Sequence, residues 1–353
     1  MEIRIAKLRK LLEEMKLDSA LIYKPENRRY MSGFTGTSGY VFITTDKAYF
    51  ITDFRYVEQA AVQCKGYEIL QHSSEKTLYQ ILEGFPIQHM GFEGDFVTYQ
   101  EYKELTEKLP CIAFESLGST LEKLRIIKDD QEIALIEKAA KITDEAFSHI
   151  CRYIKPGVTE WEIALELESF MKKKGASATS FDSIVASGKR SSLPHGVASD
   201  KMIETGDFVT LDFGCVYQGY CSDMTRTIVV GKASEKQREI YTIVLDAQLK
   251  ALAFIKPGVT GIEVDRVARD IISAKGYGAY FGHGLGHGVG LEIHESPRLS
   301  PLGKDVLQPG MIVTDEPGIY LPDFGGVRIE DLVLVTETGH RTLSKSTKEL
   351  IEL

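Results

Sequence analysis

A hexapeptide that occurs twice constrains the fold of this chain more than any other sequence feature. IKPGVT occupies residues 154–159 and again residues 255–260. Each copy precedes a helix-like run that ends in glycine, and Gly175 and Gly276 stand the same 101 residues apart as the two hexapeptides. The alternative explanation of the repeat is chance, or a Pro-Gly turn that is favoured before a helix. The matching helices and stops favour a duplicated half-domain, with related elements around a pseudo-twofold axis and a ligand cleft between the halves.

The region before the repeat has the pattern of a small α/β domain. Apolar residues near the N-terminus recur at helical spacing and predict an amphipathic helix: Ile3, Ile5, Leu8, Leu11, Leu12 and Met15. SALIY predicts a buried strand, and YVFITTDKAYFIT predicts a hairpin that turns at residues 45–47. Further strands are predicted at YEILQH, HMGFEG and CIAFES, with a helix at TYQEYKELTEKL.

A long helical segment, KDDQEIALIEKAAKITDEAFSHI, marks the change to a second domain. The chain of 353 residues is long enough for two domains, although no Gly/Ser-rich or Pro-rich linker separates them. We therefore predict an N-terminal domain at residues 1–122 and a larger domain at residues 123–353.

Charge and cysteine usage narrow the class of protein. A formal net charge of -9 argues against a nucleic-acid or anionic-membrane partner. The five cysteines are odd in number and form no C-x-x-C motif, which favours reduced thiols over a disulfide framework. The N-terminus is charged throughout, and no apolar run is long enough to span a membrane. We expect a cytoplasmic protein.

Two aspartates face one another across a predicted hairpin at residues 208–230. With a turn at residues 217–218, Asp212 lies directly opposite Asp223; with a turn at 218–219, the two are diagonal neighbours on the same face. Either register brings the carboxylates within about 5 to 8 Å of each other. Repulsion of about 4 kcal/mol at 4 Å then raises one pKa or requires a cation. In the simpler alternative, one aspartate faces solvent or pairs with Arg226.

Two glutamates lie where strands usually carry apolar residues. Glu316 follows the apolar run MIVT and precedes a Pro-Gly turn, and Glu330 begins another apolar strand. A single glutamate at a strand end is usually solvated, but four acids in neighbouring stretches with histidines between them indicate a functional cluster. We therefore take Asp212, Asp223, Glu316 and Glu330 together as a candidate functional cluster.

The stretch GHGLGHGVGLEIHE at residues 282–295 is not a phosphate-binding loop. Its glycines fall on every second residue, which does not match G-x-G-x-x-G or the P-loop pattern. So many glycines make a helix improbable, and on a strand His283 and His287 lie about 13 Å apart, so at most one of them can be a metal ligand. We predict an extended strand whose bare glycine face allows a neighbour to pack closely.

These residues together resemble a known family. LDFG(x)8DMTRT, GHGLGHGVGLEIHE, TDEPGIY and GVRIED, in this order, resemble the catalytic domain of the pita-bread metallopeptidases, which include methionine aminopeptidase, prolidase and aminopeptidase P. GFTGTSG and TDFRY resemble the N-terminal domain of bacterial Xaa-Pro peptidases. The resemblance implies an α+β protein: a small α/β creatinase-type domain followed by a pita-bread domain with pseudo-twofold halves.

The resemblance also implies a ligand set for two divalent metals. The ligands would be Asp212, Asp223, His287, Glu316 and Glu330. Asp223 and Glu330 would bridge, Asp212 would complete one metal site, and His287 with Glu316 would complete the other. Oxygen-rich ligation with one imidazole favours Mn²⁺ or Co²⁺, with Zn²⁺ as a further alternative.

Catalytic roles follow from the same resemblance. A metal-bridging hydroxide would attack the scissile carbonyl, and Glu316 would take its proton. His195 and His294 would hydrogen-bond the substrate and the developing oxyanion. His283 and Arg328 would line the substrate site, although His283 is nearly as well explained as a buried histidine bonded to backbone. Thr225 would either touch a metal or merely pack.

The expected reaction is hydrolysis of the Xaa-Pro bond in dipeptides or at peptide N-termini by a homodimer. The preceding domain argues against methionine aminopeptidase, and the retained ligands argue against creatinase. The alternative is a non-catalytic pita-bread module that binds peptides or proteins, but such modules typically lose metal ligands. Asp315 departs from the family pattern, which usually has an apolar or small residue there, and we expect it to point away from the metals.

Overall fold

The computed structural model describes all 353 residues, which divide into two compact units, Met1–Arg125 and Ile126–Leu353. The predicted boundary after residue 122 falls inside the helix Thr120–Arg125. That helix remains with the first unit because the Arg125 guanidinium donates a hydrogen bond of 2.6 Å to the Asn27 side chain. No helix in either unit combines the length and the apolar character that a membrane span requires.

The first unit is a mixed six-stranded sheet with helices. Its strands are β1 (Ser19–Ile22), β2 (Tyr40–Thr44), β3 (Ala48–Thr52), β4 (Glu68–Gln71), β5 (His89–Phe92) and β6 (Ala113–Ser116). Its helices are α1 (Glu2–Glu14), α2 (Pro25–Ser32), α3 (Val57–Gln63), α4 (Leu78–Glu83), α5 (Tyr99–Lys108) and α6 (Thr120–Arg125). The strand order is β4-β3-β2-β1-β5-β6, in which β1 is antiparallel to β2 and parallel to β5.

Most local predictions for this unit are confirmed. The hairpin β2–β3 turns at residues 45–47, where the Thr44 N–H donates to the Lys47 carbonyl. The apolar stripe of α1 buries Ile5, Leu8 and Leu12. The prediction that Ile3 joins this stripe was wrong, because Ile3 lies two residues before Ile5, on the opposite face of the helix, and is exposed.

The second unit combines four α-helices with short sheets. Its helices are α7 (Asp130–Ile150), α8 (Glu160–Lys173), α9 (Glu235–Phe254) and α10 (Gly261–Ala274). Its strands are β7 (Ala178–Thr179), β8 (Ile184–Ser187), β9 (Phe208–Phe213), β10 (Cys215–Tyr217), β11 (Tyr220–Cys221), β12 (Met224–Val229), β13 (Gly286–Gly288), β14 (Glu295–Leu299), β15 (Ile312–Asp315), β16 (Gly318–Leu321), β17 (Gly325–Arg328), β18 (Asp331–Val335) and β19 (His340–Thr342). The sheet orders are β11-β10-β7, β12-β9-β8, β14-β13-β15-β18-β19 and β16-β17.

The two copies of IKPGVT have the same local structure. In each copy the glycine has a positive φ, +90° at Gly157 and +89° at Gly258, which glycine adopts without strain. Each copy then pairs with a later segment, through Gly157 N–H to the Ile203 carbonyl and Gly258 N–H to the Leu307 carbonyl, both 2.9 Å. The matching contacts confirm that the repeat marks two structurally equivalent halves.

The helices that follow the copies begin in the same way. The terminal threonine of each copy, Thr159 or Thr260, accepts a hydrogen bond from a backbone N–H three residues later. A glutamate at that position, Glu162 or Glu263, reaches back to the threonine N–H. This reciprocal capping box satisfies N–H groups that have no partner within the helix. The repeated sequence therefore encodes a turn and a helix start in both halves.

Candidate metal centre

The hairpin that carries Asp212 and Asp223 turns at Gln218–Gly219. Tyr217 pairs with Tyr220 across this turn, and Gln218 and Gly219 both have positive φ. In the same register Asp212 lies opposite Thr225 on β12. The two aspartates are therefore diagonal neighbours, which is the second of the two arrangements that the sequence left open.

The glycine-rich stretch approaches its neighbours as closely as predicted at four of its five glycines. A Cβ atom would lie 2.1 Å from the Thr314 carbonyl oxygen if added to Gly286, and 2.3 Å from the Ser296 carbonyl oxygen if added to Gly288. The regular strand is shorter than predicted, because β13 covers only Gly286–Gly288 and its pairing with β14 shifts register after His287. The close backbone contacts hold His287 between β14 and β15.

Backbone contacts also fix the two glutamates. The Glu316 N–H donates to the Leu285 carbonyl at 2.8 Å, just after β15 ends. The Glu330 N–H donates to the Thr225 carbonyl at 3.1 Å, and the Thr225 hydroxyl donates to Glu330 Oε2 at 2.6 Å. Thr225 thus bonds a proposed metal ligand and does not merely pack.

Three side chains form a compact set of donor atoms. The ligand atoms of Asp223, His287 and Glu330 all lie within 4.8 Å of one another. His287 Nε2 lies 3.6 Å from Asp223 Oδ2 and 3.4 Å from Glu316 Oε1, which places Glu316 beside the set. His287 Nδ1 donates to the Gly288 carbonyl at 3.0 Å, an interaction that turns Nε2 toward the carboxylates.

Three of the carboxyl groups resist ionisation. Burial, reinforced by the Asp212 charge, raises the pKa of Asp223 well above its usual value. Burial and the Asp223 charge do the same to the pKa of Glu330. Burial also raises the pKa of Asp212, against the opposing effect of the Arg328 guanidinium. The crowding expected from the sequence therefore produces an unfavourable electrostatic cluster that a cation would relieve.

His287 and Glu316 form a favourable charge pair inside this cluster. Burial would lower the pKa of His287, but the neighbouring Glu316 and Asp223 carboxylates raise it to about 9. Burial would raise the pKa of Glu316, but His287 lowers it to about 2. In the metal-free protein the imidazole is therefore protonated at neutral pH and itself acts as a cation for the cluster.

Arg328 connects Asp212 to two further side chains. Its Nη2 donates to Asp212 Oδ2 at 2.5 Å, and its Nη1 donates to the Tyr320 hydroxyl at 2.8 Å. The same hydroxyl lies 2.7 Å from His283 Nε2, while His283 Nδ1 donates to the Gly284 carbonyl. Sequence reasoning missed Tyr320, although it ends the quoted motif TDEPGIY. The alternation of β16 could have placed it on the site's side of the strand.

The remaining two histidines border the cluster. The His294 ring lies 4.4 Å from the His287 ring, centroid to centroid, in an edge-on arrangement. His195 is exposed and follows Pro194, whose carbonyl accepts a hydrogen bond from Arg328 Nη1 at 3.2 Å. The structure thus brings all the predicted site residues into one region of the second unit.

Both cluster aspartates are buried and neither pairs with Arg226, so the simpler alternative for these acids was wrong. Its Nη2 donates to Asp331 Oδ1 at 2.8 Å. The reason is the alternation of β12, which directs Thr225 toward the cluster and Arg226 to the opposite face. Asp315 is the direct partner of Asp331 across β15 and β18, and its side chain likewise points away from Glu316.

Comparison with models of known protein families shows to which family a chain with this arrangement of residues belongs. The model of metallopeptidase family M24 matches residues 134–337, and the creatinase/prolidase N-terminal domain model matches residues 4–127. The chain belongs to metallopeptidase family M24. It is an α+β protein with a creatinase-type N-terminal domain and a pita-bread domain, as the sequence predicted.

Individual relatives extend over almost the whole chain of this M24 peptidase. It is 46% identical over 353 residues to the Xaa-Pro dipeptidase of Pyrococcus furiosus, covering 99% of this chain and 100% of that protein. Its structure resembles the Xaa-Pro dipeptidase from Bacillus anthracis with a TM-score of 0.96 and 54% identity, covering 100% and 99% of the two chains. It also resembles the X-Pro aminopeptidase from Thermotoga maritima, with a TM-score of 0.91, 38% identity and coverage of 97% and 99%.

Proposed function

We propose that this M24 peptidase hydrolyses the Xaa-Pro bond of dipeptides or of peptide N-termini, using two divalent metal ions. The observation that carries the proposal is the convergence of Asp223, His287 and Glu330 within 4.8 Å, next to Glu316. The relatives named above, which include both a dipeptidase and an aminopeptidase, support proline-containing peptides as substrates.

The residues present fit a pair of dications. The four acids carry four negative charges when ionised, which two dications neutralise. Asp212 Oδ1 is buried and has no hydrogen-bond partner, although Oδ2 is held by Arg328. A buried carboxylate oxygen without a partner is costly, and a metal ion is a partner that would satisfy it. Carboxylates with a single imidazole and no thiolate suit Mn²⁺, with Co²⁺ or Zn²⁺ as alternatives.

Each ligand has a proposed place. Asp223 and Glu330 would hold the ions from the compact donor set to which both belong. Asp212 would complete one ion's ligands, while His287 and Glu316, which lie 3.4 Å apart, would complete the other's. When bound, the two ions would supply a nucleophilic hydroxide at neutral pH and polarise the scissile carbonyl.

The surrounding side chains would handle the substrate and its protons. Glu316 would receive a proton from the attacking group, and its position is fixed by the Thr314 hydroxyl and by the Leu285 carbonyl. His195 and His294 border the cluster and would hydrogen-bond the substrate and the developing oxyanion. Arg328, with Tyr320 and His283, would form a rigid wall of the substrate site.

Hydrolysis assays test this proposal directly. With Mn²⁺ added, we expect turnover of Ala-Pro or Ala-Pro-Ala, no turnover of Pro-Ala, and loss of at least about 100-fold in rate after exhaustive chelation, because the ions supply the nucleophile. The ratio of Ala-Pro to Ala-Pro-Ala turnover distinguishes a dipeptidase from an aminopeptidase. Bound metal without hydrolysis of any Xaa-Pro peptide would instead favour a non-catalytic binding module.

The protonated His287 makes metal binding dependent on pH. A metal ligand must present a free lone pair, so Mn²⁺ has to displace the Nε2 proton that is held with a pKa of about 9. We expect Mn²⁺ binding at pH 7 to release at least one proton, and the affinity to rise at least about tenfold per pH unit from pH 7 toward pH 9, because the raised pKa values of Asp223 and Glu330 add further protons to be displaced. Calorimetric titrations in two buffers of different ionisation enthalpy measure this release. Identical heats in both buffers would contradict it.

We further propose that the protein acts in the cytoplasm and forms a homodimer. The five cysteines, none of which is in a disulfide, support a reducing compartment. The homodimer is the state that the family resemblance implies.

A further inference from the structure

The segment between β13 and β14 carries His294 and folds as a tight turn. The Cys221 N–H donates to the Gly290 carbonyl at 2.8 Å, and the Gly290 N–H donates to the Glu292 carbonyl at 3.0 Å. The Glu292 N–H then donates to Glu295 Oε1 at 3.1 Å. The Glu295 carboxylate is therefore part of the internal bonding of the turn.

Glu295 also belongs to an ion pair that is almost completely buried. Lys128 Nζ lies 2.9 Å from Glu295 Oε2, and the two side chains are 2% and 5% exposed. Lys128 Nζ also contacts the Ile126 carbonyl at 3.3 Å, and the Lys128 N–H donates to the Gly310 carbonyl. The lysine therefore joins the turn to a segment that is distant in sequence but fixed in the same unit.

The backbone of the turn is shaped around this carboxylate. A Cβ atom added to Gly290 would lie 2.5 Å from Glu295 Oε2 and 2.8 Å from its Oε1. Only a glycine allows the chain to approach the carboxylate so closely. Gly290 therefore belongs to the turn and its carboxylate, whereas Gly286 and Gly288 provide close strand packing.

The position of His294 depends on this turn. Its ring makes an edge-on contact with the His287 ring and no hydrogen bond within the chain, and the side chain is exposed. Its placement is consequently set by the backbone that leads into Glu295. A buried ion pair gives little net stability, because the cost of desolvation offsets the attraction between the charges. We therefore attribute to the Lys128–Glu295 pair the role of fixing the local conformation of the turn.

We propose that Lys128 and Glu295 are positioning residues, which hold the 290–295 turn so that His294 faces the metal centre. The inference rests on the proposed function, in which His294 hydrogen-bonds the substrate or the oxyanion. Lys128 acts only through the turn and touches no proposed ligand.

Kinetics of variants test the inference in the full-length Mn²⁺-loaded protein. We expect Lys128→Met to lower kcat for Ala-Pro by about 10- to 100-fold, because a displaced catalytic group loses its alignment. KM should change little. Lys138→Met, on the exposed face of α7, is the matched control and should leave both constants unchanged. Glu295→Gln keeps the size of the side chain but removes the charge that pairs with Lys128, and should reproduce the loss if Lys128→Met folds poorly.

The same substitution in a protein that lacks the His294 side chain distinguishes a positioning role of Lys128 from general structural damage. In a His294→Ala protein, adding Lys128→Met should lower kcat no further, because the group being positioned is already missing. Imidazole resonances of isotope-labelled histidine give a readout that needs no activity: Lys128→Met should shift the His294 signals, and Lys138→Met should not.

The outcomes of these experiments distinguish the catalytic role proposed for His294 from the positioning role proposed for Lys128 and Glu295. If His294→Ala is fully active while Lys128→Met still shifts the His294 resonances, the catalytic assignment of His294 fails and the positioning role stands. If the His294 resonances are unchanged in both Lys128→Met and Glu295→Gln, the positioning role is refuted. A further fall in kcat when Lys128→Met is added to His294→Ala would also refute it, since the lysine would then act by another route.

Discussion

Asp212→Asn and Glu330→Gln are each expected to abolish Mn²⁺ binding at the candidate centre and to lower Ala-Pro turnover by at least about 1,000-fold. Loss of the ions would remove several kcal/mol of transition-state stabilisation. In Asp212→Asn the amide keeps the size of the side chain but removes the charge of an oxygen, Oδ1, that has no partner within the protein. In Glu330→Gln the neutral amide resembles the protonated acid that burial already favours.

The metal-free proteins provide the control for folding. Because Glu330→Gln imitates the protonated state, its metal-free thermal midpoint should stay within about 4 °C of the parent. His283→Ala is the matched control for catalysis, since His283 contacts Tyr320 and the Gly284 carbonyl and lies outside the donor set. We expect it to lower turnover only partly and to leave Mn²⁺ binding intact. Full activity of Asp212→Asn would rule out the assigned ligand set.

Features of the fold that depend on neighbouring residues could be predicted from the sequence. The repeat, the capped helices after it and the β2–β3 hairpin are encoded by turn residues and hydrophobic periodicity within about 20 residues. The length of β13 could not be predicted. Alternating glycines allow an extended chain, but hydrogen bonds from β14 and β15 decide how much of it becomes a strand, and these neighbours are distant in sequence.

The same distinction separates the predicted parts of the site from the missed ones. The position of Asp212 and Asp223 on one face follows from a local hairpin, whose register the sequence left open, and the order of the motifs indicated the family. The bond from Thr225 to Glu330 joins residues 105 positions apart, and Lys128 and Glu295 are 167 apart. No periodicity within a single segment indicates which of many lysines will meet a given glutamate. Tyr320 was missed for a different reason, because its motif was used only for the acid.

Asp315→Val is expected to stabilise the protein, by about 1 to 3 kcal/mol. Both carboxylate oxygens of Asp315 are buried without a hydrogen-bond partner, and burial raises the pKa of the group well above its usual value. A buried polar group without a partner costs about 1 to 3 kcal/mol, and valine suits a strand such as β15. The gain should appear as a higher thermal midpoint of the second unit, in metal-free and in Mn²⁺-loaded protein alike.

The neighbouring aspartate, Asp331, lies on the same face, but its carboxylate has hydrogen-bond partners. Asp331 lies directly opposite Asp315, but its carboxylate accepts hydrogen bonds from Arg226 at 2.8 Å, Lys348 at 2.6 Å and Gln248 at 3.1 Å. Asp331→Val would leave the buried Arg226 without its carboxylate partner and should destabilise the protein by about 3 to 5 kcal/mol. The two substitutions replace the same residue type at paired positions. Changes of opposite sign in the free energy of unfolding would therefore show that hydrogen bonding, and not burial alone, decides the effect of each substitution. Destabilisation by Asp315→Val as large as that by Asp331→Val would mean that Asp315 has a partner in solution, and the orphaned carboxyl would no longer explain its place in β15.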